Sequence, residues 1–160
     1  MQLLTLFLLL IGPYVILSLI QKVSSDVKIS NASKFRIGLS LMFIATSMGH
    51  FLQTAEMAEM IPPLFPYREL IIFLTGFPEL FGAIFIWVPR FRKISGIFLI
   101  AMLLGLLPFN IYAAFQRVEF GGHSLGPLYL LVRVPFQFLV MWIAYLAAGL
   151  DWFKFRKDTD

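Results

Sequence analysis

Five separate stretches of this chain run for about twenty residues with almost no charge, and nothing else in it limits the fold so strongly. A helix of that length covers the ~30 Å hydrocarbon core of a bilayer, and in lipid only closed hydrogen-bonded elements such as helices satisfy their own backbone. The stretches are Leu3 to Ile20, Ile37 to Met57, Leu70 to Val88, Ile94 to Phe115 and Pro127 to Leu150. Together they use most of the 160 residues, of which 59% are hydrophobic and 14% charged. A soluble domain carries roughly 25% charged residues, so a water-soluble globule is excluded, and no length remains for a soluble catalytic domain. The alternating ten-residue pattern of a membrane barrel is absent. The expected fold is all-α and polytopic, with five spans. The first stretch lacks a basic flank and a small-residue cleavage site and is long for a signal sequence, so it reads as a retained helix.

The few charges are sorted. Lys22, Lys28, Lys34 and Arg36 follow the first span, Arg90, Arg92 and Lys93 follow the third, and Lys154, Arg156 and Lys157 lie in the tail. Ten basic residues therefore fall on one side, against Arg68 and Arg117 on the other. Basic loops stay cytoplasmic, which predicts an outer N-terminus and a cytoplasmic C-terminus. The expected organisation is an N-terminal span over 1–22, a cytoplasmic basic loop over 23–36, a membrane domain over 37–150 and a cytoplasmic tail over 151–160. The Asn31-Ala32-Ser33 glycosylation pattern falls on the cytoplasmic side and is read as chance. The net charge of +4 marks topology, and no nucleic-acid partner is expected.

With no cysteine, thiolate chemistry, disulfide exchange, iron–sulfur ligation and cysteine-held zinc are excluded. Any redox chemistry needs a bound cofactor, and a quinone is the one considered. Ionisable groups inside hydrocarbon are costly and normally face the protein interior, so they are candidate site residues. Glu79 lies in the third span and Arg133 near the outer end of the fifth. Thr46, His50 and Gln53 share a face of the second by helical spacing. Asn110 and Tyr112 lie in the outer half of the fourth, and Gln137 one turn below Arg133. Pro78, Pro108 and Pro135 adjoin this set, and each removes a helix hydrogen bond. Gly76, Gly82 and Ala83 would admit a neighbouring helix closely. The central expectation is a Glu79–Arg133 pair across the helices, with His50, Asn110 and Gln137 completing a network that either binds a ligand or fixes helix registry.

Other candidates carry less. His50 as a metal ligand has no supporting spacing, and His123, Glu56 and Glu59 form at most a weak outer cluster, so no metal is expected. Ser47 beside His50 lacks an orienting carboxylate and a nucleophile elbow. The segment Ile61-Pro62-Pro63-Leu64-Phe65-Pro66-Tyr67 breaks a helix yet is apolar, and reads as an interfacial connector or a lid. Most of the eighteen phenylalanines read as lipid-facing or core, and Trp87, Trp142 and Trp152 as interfacial or core.

A set of motifs in order carries a family likeness: Gly49-His50-Phe51; Met60-Ile61-Pro62-Pro63 with Pro66 and Glu69-Leu70; Thr75 to Ala83; Pro89-Arg90 with Arg92 and Gly96; Pro108 to Tyr112; and Arg133 to Gln137. From Phe35 to Ala148 the chain resembles the DoxX-like family of small bacterial integral membrane proteins. The resemblance implies a four-helix bundle, which makes the first span an added N-terminal helix, and it implies the bacterial cytoplasmic membrane. It also implies a link to redox metabolism, as an accessory or assembly subunit of a membrane redox system without catalysis of its own. The alternative is a binding protein or enzyme for a lipophilic small molecule such as a quinone, with Arg133, His50 and Asn110 at its polar head. A small transporter is a weaker alternative, since no inverted repeat is apparent. Expected partners are the lipid bilayer, a redox-enzyme subunit or a second copy of the chain.

Overall fold

The computed structural model of the chain describes residues 3–24 and 28–150. The described residues form helices and no strand. The long helices are α1 (Leu3–Val23), α2 (Asn31–Leu52), α4 (Arg68–Phe85), α5 (Arg92–Phe115) and α6 (Leu130–Ala148), with the short α3 (Thr54–Ala58) after α2 and a 3₁₀ segment (His123–Tyr129) before α6. Four stretches are long and apolar enough to cross a membrane: α1, α2, α5, and the 3₁₀ segment joined with α6. The 18-residue α4 begins with Arg68 and Glu69 and carries Glu79. Helices continue through Pro13, Pro78, Pro108 and Pro135.

Element ends refine the expected organisation. Ser30 caps α2, accepting a hydrogen bond from Ser33 N–H at 3.1 Å. Lys34 and Arg36 therefore belong to the first turns of α2 rather than to a loop ending at residue 36, because the cap starts the helix at Asn31. Lys34 is buried, donates to Ser18 Oγ at 3.0 Å and lies 5.5 Å from the Tyr14 ring centre. Arg36 Nε–H donates to Ala147 O at 2.8 Å, placing a cation at the carbonyl end of α6. The second apolar stretch divides at Gln53, whose φ/ψ of −128°/38° leaves the helix, so Met57 lies on α3. At the other end of the chain α6 closes on Gly149 at φ 66°, with Leu150 N–H returning to Tyr145 O. The tail residues Lys154, Arg156 and Lys157, with Trp152, lie outside the described residues.

Contacts run from α2 to α4, α4 to α5, α5 to α6 and α6 back to α2, while α1 lies against α2 and touches α6 lightly. Glycines set the close approaches. A Cβ on Gly38 would stand 1.9 Å from the backbone oxygen of Leu10, one on Gly82 2.4 Å from Leu99 Cδ2, and one on Gly96 2.3 Å from Ala148 Cβ. Where the surroundings are as apolar as the side chains, such close packing is what holds helices together. The core joins Leu6 and Leu10 of α1 to Leu39, Met42 and Phe43 of α2, Ala83, Leu99, and Val140, Ile143, Ala144 and Ala147 of α6. Outward faces expose Leu4, Leu8, Ile16, Leu19, Leu131 and Trp142, an apolar surface that water would not tolerate and lipid would.

Candidate functional site

Polar side chains join α2 to α4 along their whole contact. Ser40 Oγ–H donates to Ala83 O at 2.8 Å and itself accepts from Trp87 Nε1–H at 2.9 Å. Ser47 Oγ–H donates to Gly76 O at 2.9 Å. Gly76 faces Phe51 and the Cβ of His50, so its missing side chain makes room for the histidine. One turn nearer the helix end, His50 Nδ1 stands 2.9 Å from Ile72 O and 3.0 Å from Thr75 Oγ1. The Thr75 hydroxyl donates to Ile72 O at 2.8 Å, so its oxygen, like the carbonyl, presents a lone pair to the ring. Two acceptors on Nδ1 fix the proton there.

The other ring nitrogen, Nε2, lies 3.4 Å from Glu79 Oε1, and both side chains are buried. Glu79 thus pairs with His50 and not with Arg133, which corrects the expected cross-helix pair. The reason lies in the packing: the backbones of α4 and α6 nowhere approach closely, while α2 lies directly on α4. Arg133, in the first turn of α6, finds one partner on the adjacent α5, donating from Nη2 to Asn110 Oδ1 at 3.2 Å, and another in the Tyr129 hydroxyl just before α6. Asn110 in turn donates from Nδ2 to Leu106 O at 3.0 Å.

Glu79 and Arg133 still face one space. A cavity of about 760 Å³ is lined by Thr46 and His50 of α2, Gln53 just after it, Thr75 and Glu79 of α4, Asn110 of α5, His123 and Arg133. Met57, Met60, Ile61, Ile71, Leu106 and Phe109 supply apolar wall. That size lies in the range of small-molecule sites, which are mostly apolar with a few convergent polar groups. Gln53, at the end of α2, is exposed and lines the mouth. The apolar connector packs over this end, with Ile61 buried beside Ala58 and Ile72, and the Phe65 ring edge-on to Phe109 at 5.8 Å. Gln137 is absent from the lining; it is buried one turn deeper and donates from Nε2 to Leu103 O.

His123, expected in the outer loop, is buried in the cavity wall. Gly121 and Gly122, at φ 62° and 98°, turn the chain so that the imidazole points inward, and its ring lies edge-on to Tyr129 at 4.9 Å. A Cβ on Gly122 would meet the Tyr129 ring at 2.8 Å. The Gly-Gly pair before a histidine was the readable signal. Thr75 was missed too, although it stands one turn from Glu79 by i, i+4 spacing. His50 and His123 line the same cavity, but among the described residues no group of three or more histidine and carboxylate side chains gathers as a metal-donor set. Three polar atoms of the lining, Glu79 Oε2, His123 Nε2 and Arg133 Nε, are buried without a hydrogen-bond partner, as is Gln137 Oε1 below.

Fold and site define a helical protein with membrane-length helices and a polar-headed cavity at one end. Residues 39–148 match the family described as domain of unknown function (DUF8561), and the chain belongs to it. The match starts inside α2, after α1 is complete. No curated protein and no solved structure matches the chain.

Proposed function

We propose that this is a five-span integral membrane protein in which α2, α4, α5 and α6 form a four-helix bundle that binds a lipophilic small molecule by its polar head. The single observation that carries the reading is the large apolar-walled cavity whose polar end holds buried, unpartnered Glu79, His123 and Arg133 atoms. Leaving a polar group buried and unmade costs about 1–3 kcal/mol, more for a charged one, so a core built only for registry would satisfy them. α4 counts as the fifth span because its ionisable Glu79 faces inward against His50. The positive-inside count supports a cytoplasmic membrane with the cavity in the outer half. The DoxX-like resemblance supports a second reading, an accessory or assembly subunit of a membrane redox system, in which the serine and histidine bonds between α2 and α4 serve registry.

Native mass spectrometry with an absorption spectrum, on protein purified gently from its own membrane, separates the two. The binding reading expects a bound lipophilic molecule at one per chain, reduced in Phe109→Trp, which narrows the cavity. A co-purifying redox subunit with no small molecule would carry the second reading instead, and neither would overturn both.

A further inference from the structure

The charges around the cavity do not balance without a ligand. Nδ1 of His50 is held as a donor by Ile72 O and Thr75 Oγ1, which leaves Nε2 to face Glu79 Oε1 at 3.4 Å. A bare Nε2 would set its lone pair against a carboxylate oxygen in a place where neither is hydrated, so one proton resides between them. Whether it sits on the ring or on the carboxyl, the pair is neutral as a whole. His123 Nδ1–H donates to Phe120 O at 2.7 Å, which leaves its neutral ring with an accepting Nε2. Among the described lining residues, Arg133 then carries a charge with no carboxylate within ion-pair distance: it hydrogen-bonds the neutral Asn110 and Tyr129 side chains, Glu79 acts on it only from farther off, and its Nε–H is buried and unpaired. A buried charge is retained when it is compensated.

We infer that the occupant is an amphipathic anion, an acidic headgroup carrying carboxylate or phosphate oxygens on an apolar tail, with the headgroup seated on the Arg133 guanidinium. This deepens the proposed binding function and rests on it. The guanidinium fork matches such oxygens in geometry as well as charge. Glu79 Oε2 and His123 Nε2 flank the same space and can accept from a hydroxyl of the headgroup. Two methionines, Met57 and Met60, make an adaptable wall for a flexible chain. The lining continues to Leu6 of α1 and to Met48 and Leu52, which are exposed on the outside of α2, so a tail too long for the cavity would pass into surrounding hydrocarbon there.

The test compares ligands on the intact wild-type chain in neutral-lipid nanodiscs, scored by native mass spectrometry: oleate, its methyl ester, oleylamine, a short-tailed quinone and phosphatidylglycerol. Oleate or phosphatidylglycerol should bind at least tenfold more tightly than the methyl ester, and the preference should vanish in Arg133→Gln and return in part in Arg133→Lys. Preference for phosphatidylglycerol over oleate assigns the acidic head to a phospholipid, and the reverse to a free acid. Equal binding of acid and ester, or a preference for the amine or the quinone, overturns the acidic head while leaving the cavity a binding site. Absence of binding by every probe, with nothing co-purifying, overturns the binding function itself. The ligand comparison stands on wild-type protein even if Arg133→Gln fails to fold.

Discussion

At the scale of single residues, the His50–Glu79 pair carries the largest local consequence. Removing either partner leaves the atom that faced it buried and unpaired, and Glu79→Ala or His50→Ala should cost about 3–5 kcal/mol. The double replacement His50→Leu with Glu79→Met, which removes both members of the pair and leaves Thr75 bonded to Ile72 O, should recover most of that loss. Reversible unfolding in mixed micelles measures all three, and single variants that lose nothing would show that the pair does not hold α2 to α4. Gly76→Ala should cost about 1–3 kcal/mol, since its new methyl would meet Phe51 and His50 at 2.8–2.9 Å. Glu79, His50, Asn110 and Arg133 were legible as a set because an ionisable or amide side chain inside an apolar run has few reasons to be there. Their pairing was not legible, because sequence spacing places residues on a helix face without saying which helix that face meets. The same gap hid His123, whose inward turn depends on two positive-φ glycines and the Tyr129 ring behind them.

At the scale of elements, α1 is separable. It buries Leu6 and Leu10, stacks Tyr14 on Phe35 at 4.5 Å, accepts from Lys34 at Ser18, and presents much of its remaining apolar surface outward. Its docking depends on Gly38, where any side chain would strike the Leu10 backbone rather than a movable atom. Gly38→Val should therefore displace α1 and leave the α2–α4–α5–α6 contacts in place. A Tyr14→Cys, Phe35→Cys pair, joined by a short bis-maleimide in the otherwise cysteine-free chain, should lose most of its cross-linking when Gly38→Val is added. Unchanged cross-linking would mean that α1 is held elsewhere. The existence of the helices was plain from length and hydropathy. Their ends moved by a few residues, because local chemistry sets them: the Ser30 cap started α2 earlier, and the turn at Gln53 divided it from α3.

At the scale of the whole molecule, the sorting of charge predicts which ends share a side of the membrane. Single cysteines replacing Leu64 and Leu125, both strongly exposed, should label with an impermeant maleimide from outside intact cells. One replacing Lys93 should label only after permeabilisation. Labelling of positions 64 and 93 from the same side would mean that α4 does not cross, and labelling of position 93 from outside would invert the orientation. By itself the sequence determined that the chain is helical, that its helices suit lipid, and that the few polar groups within its apolar stretches gather toward one end. Hydropathy and helical period are local, so the order of residues along each stretch carries them. Only the tertiary structure decided that Glu79 meets His50, that Arg133 meets Asn110, and that a cavity lies among them. Those outcomes follow from which helices touch, and that is set by glycines whose only visible property in sequence is the side chain they lack.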